Sequence, residues 1–456
     1  MANTQKVNQI TQGVIWQQLL YFFLPILIGS AFQQLYNTAD TIIVGQFVGT
    51  SALAAVGATG TLINLLVGFF IGMASGATVI ISQFYGAQRH QKVKEAVHTS
   101  VALTIVCGVI LMVFGIIAAP ILLTLISVPE DIIASSTLYI RIYFIGMIPS
   151  LFYNVGAGIL RAVGDSKRPL YFLIIATLSN IVLDLILVVV LKWGVAGVGI
   201  ATVLCQFISA TLVLWVLMKA EDSYALQLHK IRMEKEILFS IIRIGLPAGL
   251  QSVLYAISNL VIQSSINRLG TDTIAAWSAF GKIDGLFWMM IGAFGVAITT
   301  FVGQNFGAGQ FQRVKQSVRV CLVMAFASSI LLSIVLAIAS EPIFRLFTTD
   351  ETVIKIGMEM MQIMTPFYFT FVCVEILSGA IRGVGEALKP MLLTCIGVCG
   401  LRIAWIIWIV PLNPSLFNIA ICYPITWSTT SLLFIIYYLK GNWLKSRMPA
   451  LNKNEG

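Results

Sequence analysis

Residues 169–191 read PLYFLIIATLSNIVLDLILVVVL, an apolar run in which the only ionisable residue is Asp184. A helix of this length spans the hydrocarbon core of a bilayer, which is about 30 Å thick. The rest of the chain has the same character, since 58% of its 456 residues are hydrophobic and only 10% are charged. Soluble domains carry about 25% charged residues. The sequence therefore predicts an all-α integral membrane protein and excludes soluble and disordered chains.

Apolar runs separated by polar breaks predict twelve transmembrane helices. Turn-forming glycines and prolines mark many of the breaks, including Gly86, Pro169, Gly270 and Pro390. The predicted helices cover about 14–44, 51–83, 95–119, 131–160, 169–191, 195–218, 237–267, 272–305, 314–339, 350–381, 390–411 and 415–439.

Basic residues are concentrated in alternate breaks. One set of breaks and termini carries 21 of the 28 Lys and Arg residues, and the opposite set carries few. Basic loops stay on the cytoplasmic side, so both termini are expected there, in a multi-pass protein of the cell's inner (plasma) membrane. This topology accounts for the formal charge of +9, and a nucleic-acid partner is not expected.

The two halves of the chain repeat at an offset of about 221 residues. The period contains an even number of helices, so both halves insert in the same orientation, as in transporters built from parallel repeats. We predict an N-terminal lobe (1–218), a cytoplasmic linker (219–236) and a C-terminal lobe (237–456). The matching motifs are Leu24-Pro25 with Leu246-Pro247, Gln83-x-x-Gly86-Ala87 with Gln304-x-x-Gly307-Ala308, and Arg161-x-x-Gly164-Asp165 with Arg382-x-x-Gly385-Glu386.

These motifs, together with Asp40 late in the first span, resemble the multidrug and toxic compound extrusion (MATE) family over essentially the whole chain. The similarity is greatest to the prokaryotic DinF-like branch. Another branch of the family has its acidic cluster in the C-terminal lobe, with an acid in the seventh span, and the seventh span here has no acid. The resemblance implies a V-shaped fold of two six-helix bundles. It also implies export of organic, often cationic, compounds in exchange for H⁺ or Na⁺, with Asp40, Asn180, Asp184 and Thr202 as the coupling site.

The chemistry of these four residues suits either ion. Ionisable groups within spans are costly and usually functional. Asn180 and Asp184 are four residues apart and share a helix face. Carboxylate, amide and hydroxyl oxygens are hard ligands that suit Na⁺ by analogy with other hard cations. Two close carboxylates can equally share a proton, so the residues leave the choice between Na⁺ and H⁺ open.

Further intramembrane polar and aromatic residues are candidates for a substrate cavity. The C-terminal half carries Lys282, Asp284, Glu375 and Arg402, which either neutralise each other as buried pairs or handle substrate or protons. Aromatic rings near such groups could bind flat cations. The candidate cavity residues are Tyr36, Asn154, Gln206, Tyr255, Asp284 and Glu375.

No motif indicates an enzyme. Gly281-Lys282 is followed by Ile283 and lacks the upstream glycine of a nucleotide-binding loop. The three histidines, His90, His98 and His229, fall in polar connections. We expect no cofactor, only a coupling ion, and we expect a monomer whose partners are small organic substrates and membrane lipids. The alternative functions are a flippase for lipid-linked oligosaccharides or lipids and a membrane receptor or scaffold that transports nothing.

Overall fold

A computed structural model describes residues 10–126 and 128–447. Within these ranges the chain is helical and contains no β-strand. Among the described residues, eleven helices are long and apolar enough to cross a membrane, and one further pair of helices meets the same criteria together as a bent span. The predicted class, an all-α membrane protein with twelve spans, is confirmed.

The twelve spans are numbered α1 to α12 in chain order. They are α1 (Ile15–Val48), α2 (Thr50–Gly86), α3 (His90–Leu125), α4 (Glu130–Ile145 with Met147–Ala162), α5 (Lys167–Val190), α6 (Gly194–Met218), α7 (Lys235–Asn267), α8 (Thr271–Gly307), α9 (Phe311–Arg345), α10 (Glu351–Gly383), α11 (Leu388–Leu412) and α12 (Leu416–Lys440).

The fourth span departs from the single helix predicted over 131–160. Its two helices meet at Gly146 with a bend of 47°. A side chain at Gly146 would have no room, because a Cβ there would come within 2.3 Å of Oε1 of Gln206. Glycine therefore lets α6 approach α4 closely at the bend.

The chain forms two compact units. One unit comprises Tyr21–Gly249, and the other joins the described residues up to Leu20 with those from Leu250 onward. Their boundaries differ from those of the predicted lobes, because α1 and α7 each cross from one unit into the other. The division into lobes at 219–236 remains a prediction.

Glycines bring α2 and the first half of α7 into direct backbone contact within the unit Tyr21–Gly249. A Cβ on Gly72 would lie 2.6 Å from Cα of Gly249, and one on Gly76 would lie 2.3 Å from O of Ile241. Gly72 and Gly76 are four residues apart, as are Gly245 and Gly249. This spacing of small residues lets membrane helices pack at short distance.

His98 lies inside α3 and is 5% exposed, as the predicted helix over 95–119 implies, and its assignment to a polar connection is wrong. The segment after α6 folds back onto it. The backbone N–H of Gln227 donates to Nε2 of His98 at 3.1 Å, and Nδ1 contacts O of Lys94 at 2.6 Å. Both ring nitrogens therefore have backbone partners, which is why an apolar helix tolerates this histidine.

Three spans contain a π-helical segment next to an ionisable residue. Val44–Val48 follows Asp40 on α1, and Leu185–Val190 begins directly after Asp184 on α5. Cys395–Gly400 on α11 ends two residues before Arg402. Such π segments occur often at functional sites, because an extra residue per turn redirects side chains. These segments mark two regions of the molecule, one around Asp40 and Asp184 and the other around Arg402.

Candidate ion-coupling site and a C-terminal cavity

Three helices of the unit Tyr21–Gly249 bring together the four residues that the sequence proposed for ion coupling. Asp40 comes from α1, Asn180 and Asp184 from α5, and Thr202 from α6. Oγ1 of Thr202 donates to Oδ2 of Asp40 at 3.5 Å. The side chains of Asp184 and Asn180 are neighbours of Asp40. We call these four residues the N-terminal cluster.

Four of the five carboxylate and amide oxygens of the N-terminal cluster accept no hydrogen bond. Asn180 and Asp184 are 0% exposed, and Thr202 is 3% exposed. Oδ1 of Asp40, both carboxylate oxygens of Asp184 and Oδ1 of Asn180 are buried and accept no hydrogen bond. Buried polar atoms in folded proteins are almost always paired. Nδ2 of Asn180 is buried and unpaired as well, so one amide group is the only unused donor beside these four oxygens, and the cluster has fewer donors than acceptors.

Two chemical solutions satisfy such a cluster. A proton on one carboxyl lets it donate to the other, so that the two groups share a single negative charge. A small hard cation such as Na⁺ can instead be bound by the carboxylate, amide and hydroxyl oxygens. An acid at the centre of a membrane helix costs about 2.5–3.5 kcal/mol, so either ion relieves a substantial penalty.

Tyrosines surround the N-terminal cluster. Tyr36, a predicted cavity residue on α1, lies beside Asp40 and Thr202. Tyr139 and Tyr143 on α4 lie within electrostatic range of Asp40, and sequence reasoning missed both. Their spacing of four residues in an apolar run was the available signal, since it places both rings on one helix face.

The other two predicted residues of this half differ in their surroundings. Gln206 lies beside Tyr143, and its Oε1 is buried close to Gly146. Asn154 donates from Nδ2 to O of Ser150 in its own helix at 2.9 Å. Gln206 therefore adjoins the cluster, whereas the hydrogen bond of Asn154 is local.

A separate cavity of about 510 Å³ lies in the C-terminal part of the chain, between α7, α8, α10, α11 and α12. Three of the predicted cavity residues, Tyr255, Asp284 and Glu375, line it. We call it the C-terminal cavity. Its aromatic lining comprises Tyr255, Trp277, Phe280, Trp288, Phe371 and Tyr423.

The four charged residues of this half do not form the buried ion pairs that were one of the two predictions for them. Lys282 is exposed and does not line the cavity. Asp284 is held by neutral donors, because Tyr368 Oη and Trp288 Nε1 each donate to it at 2.6 Å. Arg402 donates from Nη1 to Oδ1 of Asn259 at 3.2 Å. Among residues 10–126 and 128–447, no carboxylate lies within 4.0 Å of the Arg402 guanidinium.

A family model named MatE matches the chain twice, over residues 25–186 and 247–408. The two matches fall one in each half of the predicted repeat. The chain belongs to the MATE family. Relatives of this MATE protein include the probable multidrug resistance proteins YoeA and YpnP of Bacillus subtilis strain 168. YoeA is 30% identical over 448 residues, covering 96% of both chains, and YpnP is 27% identical over 405 residues, covering 87% and 89%.

The fold of this MATE protein is also that of known transporter structures. A MOP superfamily transporter from Pyrococcus furiosus superposes with a TM-score of 0.90 at 23% identity, over 99% of this chain and 100% of the other. MATE proteins are transporters, so the expectation that the chain is not an enzyme is confirmed. The match also disfavours the flippase alternative. MATE transporters are ion-coupled antiporters without cofactors.

Proposed function

We propose that this MATE protein exports organic cations in exchange for H⁺ or Na⁺, and that the N-terminal cluster binds the coupling ion. One observation supports the proposal: Oδ1 of Asp40, Oδ1 of Asn180 and both carboxylate oxygens of Asp184 come from two helices and are buried without a hydrogen bond. A cation or proton at this point supplies what they lack. Because Asp40 on α1 and Asp184 on α5 share the ion, binding changes the packing between these helices.

The exchange requires that the ion and the substrate favour different states of the transporter. Ion binding drives transport only if its free energy differs between the outward-open and inward-open states. In the proposed cycle, the ion enters the N-terminal cluster from outside and neutralises the two carboxylates. Substrate is then released outward, the helices rearrange, and the ion leaves towards the cytoplasm. Asp40 and Asp184 are the residues through which the ion gradient acts.

The proposal also covers the orientation of the protein in the membrane and the path of the substrate. In this proposal the distribution of basic residues places both termini in the cytoplasm, and the protein works as a monomer in the lipid of the inner membrane. Tyr36, Gln206 and Asn154 line the substrate path of the first half, and Tyr255, Asp284 and Glu375 that of the second. Carboxylates and aromatic faces are the groups that attract organic cations.

The test uses purified protein in lipid vesicles with an imposed H⁺ or Na⁺ gradient and a fluorescent cationic dye as substrate. The ion flows down its imposed gradient, and wild-type protein is expected to move the dye across the membrane in the opposite direction. Asp40→Asn and Asp184→Asn each replace a carboxylate by an amide of the same size, so both are expected to slow gradient-driven transport strongly. Replacing Na⁺ by K⁺ at constant pH separates the two ions, since only a Na⁺-coupled exporter stops.

Asp131→Asn is the matched control, because Asp131 is exposed in the first turn of α4. This variant is expected to transport at the wild-type rate. Wild-type rates in both Asp40→Asn and Asp184→Asn would refute the coupling role of the cluster. Absence of dye movement under every gradient in the wild-type protein would instead favour a receptor or scaffold.

A further inference from the structure

The corner of the molecule where α11 begins and α12 ends carries two exposed lysines. Lys389 is the second residue of α11, and Lys440 is the last residue of α12. Nζ of Lys389 lies 5.4 Å from the centre of the Tyr437 ring. Lys440 follows Tyr437 by three residues, so these two side chains share a face of α12. Within residues 10–126 and 128–447, no carboxylate lies within 4.0 Å of either ammonium group, and both positive charges therefore lack an acidic partner there.

Glu386 is the acid nearest to Lys389 in the sequence, but it is already paired. Nη2 of Arg447 lies 2.6 Å from Oε2 of Glu386, and both side chains are largely buried. At the offset of about 221 residues, Asp165 corresponds to Glu386 and Arg168 to Lys389. In the first half these two residues pair directly, with 3.2 Å between Nε of Arg168 and Oδ2 of Asp165. In the second half Arg447 occupies the acid, which leaves Lys389 available to another anion.

The chain after α12 packs back against the end of that helix. Trp443 and Leu444 are buried, and Nε1 of Trp443 donates to O of Tyr438 at 3.1 Å. The rings of Trp443 and Tyr438 stack with their centres 5.0 Å apart. Tyrosine and tryptophan are enriched where membrane helices reach the lipid headgroups. The corner is therefore a preformed structure, and its residue types are typical of the boundary between hydrocarbon and water.

Exposed apolar side chains continue along both helices from the two lysines. They lie three and seven residues after Lys389 on α11, and four and eight residues before Lys440 on α12, so each series shares a helix face with its lysine. The exposed residues are Leu392 and Ile396 on α11, and Leu432 and Ile436 on α12. On helices that cross a membrane, such side chains contact the acyl chains of lipids. Two positive charges thus adjoin an apolar surface formed by two neighbouring helices.

We propose that this corner binds an anionic phospholipid, whose phosphate is bound by Lys389 and Lys440 and whose acyl chains lie along the exposed faces of α11 and α12. An ammonium group binds phosphate as a point charge, and the long apolar stem of lysine lets it reach the headgroups. Basic groups at the membrane surface favour anionic over zwitterionic lipids. In the proposed orientation the lipid belongs to the cytoplasmic leaflet. The inference goes beyond the proposed export function and does not depend on which ion is coupled.

Two phospholipids that differ only in their headgroup test the site. Dioleoyl phosphatidylglycerol is anionic, dioleoyl phosphatidylcholine is zwitterionic, and both carry the same acyl chains. Native mass spectrometry of the purified, detergent-solubilised protein gives an apparent dissociation constant for each lipid. Wild-type protein is expected to bind phosphatidylglycerol about tenfold more tightly. Lys389→Gln combined with Lys440→Gln is expected to weaken phosphatidylglycerol binding about ten- to thirtyfold, because each basic residue near an anionic lipid contributes about fivefold, and to leave phosphatidylcholine binding unchanged.

The controls separate this site from general charge and from folding. Lys230→Gln combined with Lys235→Gln removes the same charge from two exposed lysines around the start of α7 and is expected to keep the affinity for phosphatidylglycerol. Lys389→Arg combined with Lys440→Arg retains both charges and is expected to keep it as well. If the double glutamine variant at the corner does not fold, the single variants Lys389→Gln and Lys440→Gln are each expected to weaken binding about fivefold. Soluble glycerol phosphate is expected not to compete, because it has no acyl chains.

Equal affinity of the wild-type protein for the two lipids would overturn the lipid site, and so would an undiminished affinity for phosphatidylglycerol after both corner lysines are replaced by glutamine. Competition by glycerol phosphate at the concentration of the lipid would overturn it in favour of a site for soluble phosphate. A wild-type dimer that dissociates in the double glutamine variant would instead assign this face to a second copy of the chain. Gradient-driven export plays no part in these measurements, so the lipid site and the proposed coupling role can fail separately.

Discussion

The hydroxyl of Thr202 on α6 donates to the carboxylate of Asp40 on α1, with 3.5 Å between Oγ1 and Oδ2. The two residues are 162 positions apart in the chain. The other oxygen of Asp40 is buried and accepts no hydrogen bond. This contact ties the first helix to the sixth at the point where the proposed coupling ion binds.

Thr202→Val is expected to weaken ion binding without abolishing transport. Valine has the shape of threonine but removes a donor to Asp40 and a possible oxygen ligand. A single hydrogen bond contributes about 0.5–1.5 kcal/mol, so the ion concentration for half-maximal dye export should rise about two- to tenfold. Thr211→Val is the matched control on α6, because Thr211 is exposed and bonds only to its own helix. An unchanged half-maximal concentration in Thr202→Val would contradict the role of its hydroxyl.

Asp40→Asn and Asp184→Asn are expected not to be additive. If the two carboxylates share one ion, either change destroys the same site, and the double variant should transport as slowly as the slower single variant. The measurement is the rate of gradient-driven dye export by all three variants at equal reconstituted amounts. Rate losses that multiply in the double variant would mean that the two acids bind separate ions.

Gly245→Ala is expected to destabilise the protein by about 1–3 kcal/mol through overpacking. A Cβ on Gly245 would come within 2.3 Å of O of Met73, so α2 and α7 would have to separate. The measurement is the unfolding temperature of the solubilised protein. Gly57→Ala on α2 is the control, since nothing lies within 4 Å of its added Cβ and alanine favours a helix. Equal unfolding temperatures for the two variants would show that the helices tolerate the extra methyl group.

The proposed orientation predicts the behaviour of reporter fusions in bacterial cells. Alkaline phosphatase is active only outside the cytoplasm, and green fluorescent protein folds well inside it. A fusion after Arg447 is expected to give fluorescence and no phosphatase activity, because the basic termini stay inside. A fusion in the connection 413–415, between α11 and α12, is expected to give the reverse. Phosphatase activity in the fusion after Arg447 would mean that the C-terminus lies outside the cytoplasm and would contradict the proposed orientation.

Much of the fold followed from periodicity and composition. Twelve spans, the internal repeat and the membrane class are all visible in the order of apolar runs and turn residues, because burial in lipid demands long apolar helices. The bend at Gly146 and the π segments were not predicted. They depend on which side chains meet across helices, for example Gln206 against Gly146. The contact of His98 with Gln227 was also missed, since the two residues are distant in sequence.

The candidate sites were predictable in part. Asp40 and Asp184 could be identified from the sequence because acids are rare within apolar runs. Asn180 and Thr202 were identified from the family resemblance. Tyr139 and Tyr143 were missed because aromatic residues are common in membrane helices, so a spacing of four residues does not by itself indicate a site. In the second half, the sequence indicated Arg402 and Asp284 but suggested pairing, which the structure replaces with partners such as Tyr423 and Trp288.

The sequence by itself determined that this protein spans a membrane, that it consists of two related halves, and which few ionisable residues lie where charge is costly. These properties depend on the hydropathy of each segment, which can be read directly from the order of residues in the sequence. Only the tertiary structure decided that Asp40 meets Asp184 and Thr202, and that Arg402 stacks on Tyr423 instead of pairing with an acid. Such contacts join residues on different helices, and helix packing sets the distances that determine whether charges neutralise each other or remain available to bind a ligand.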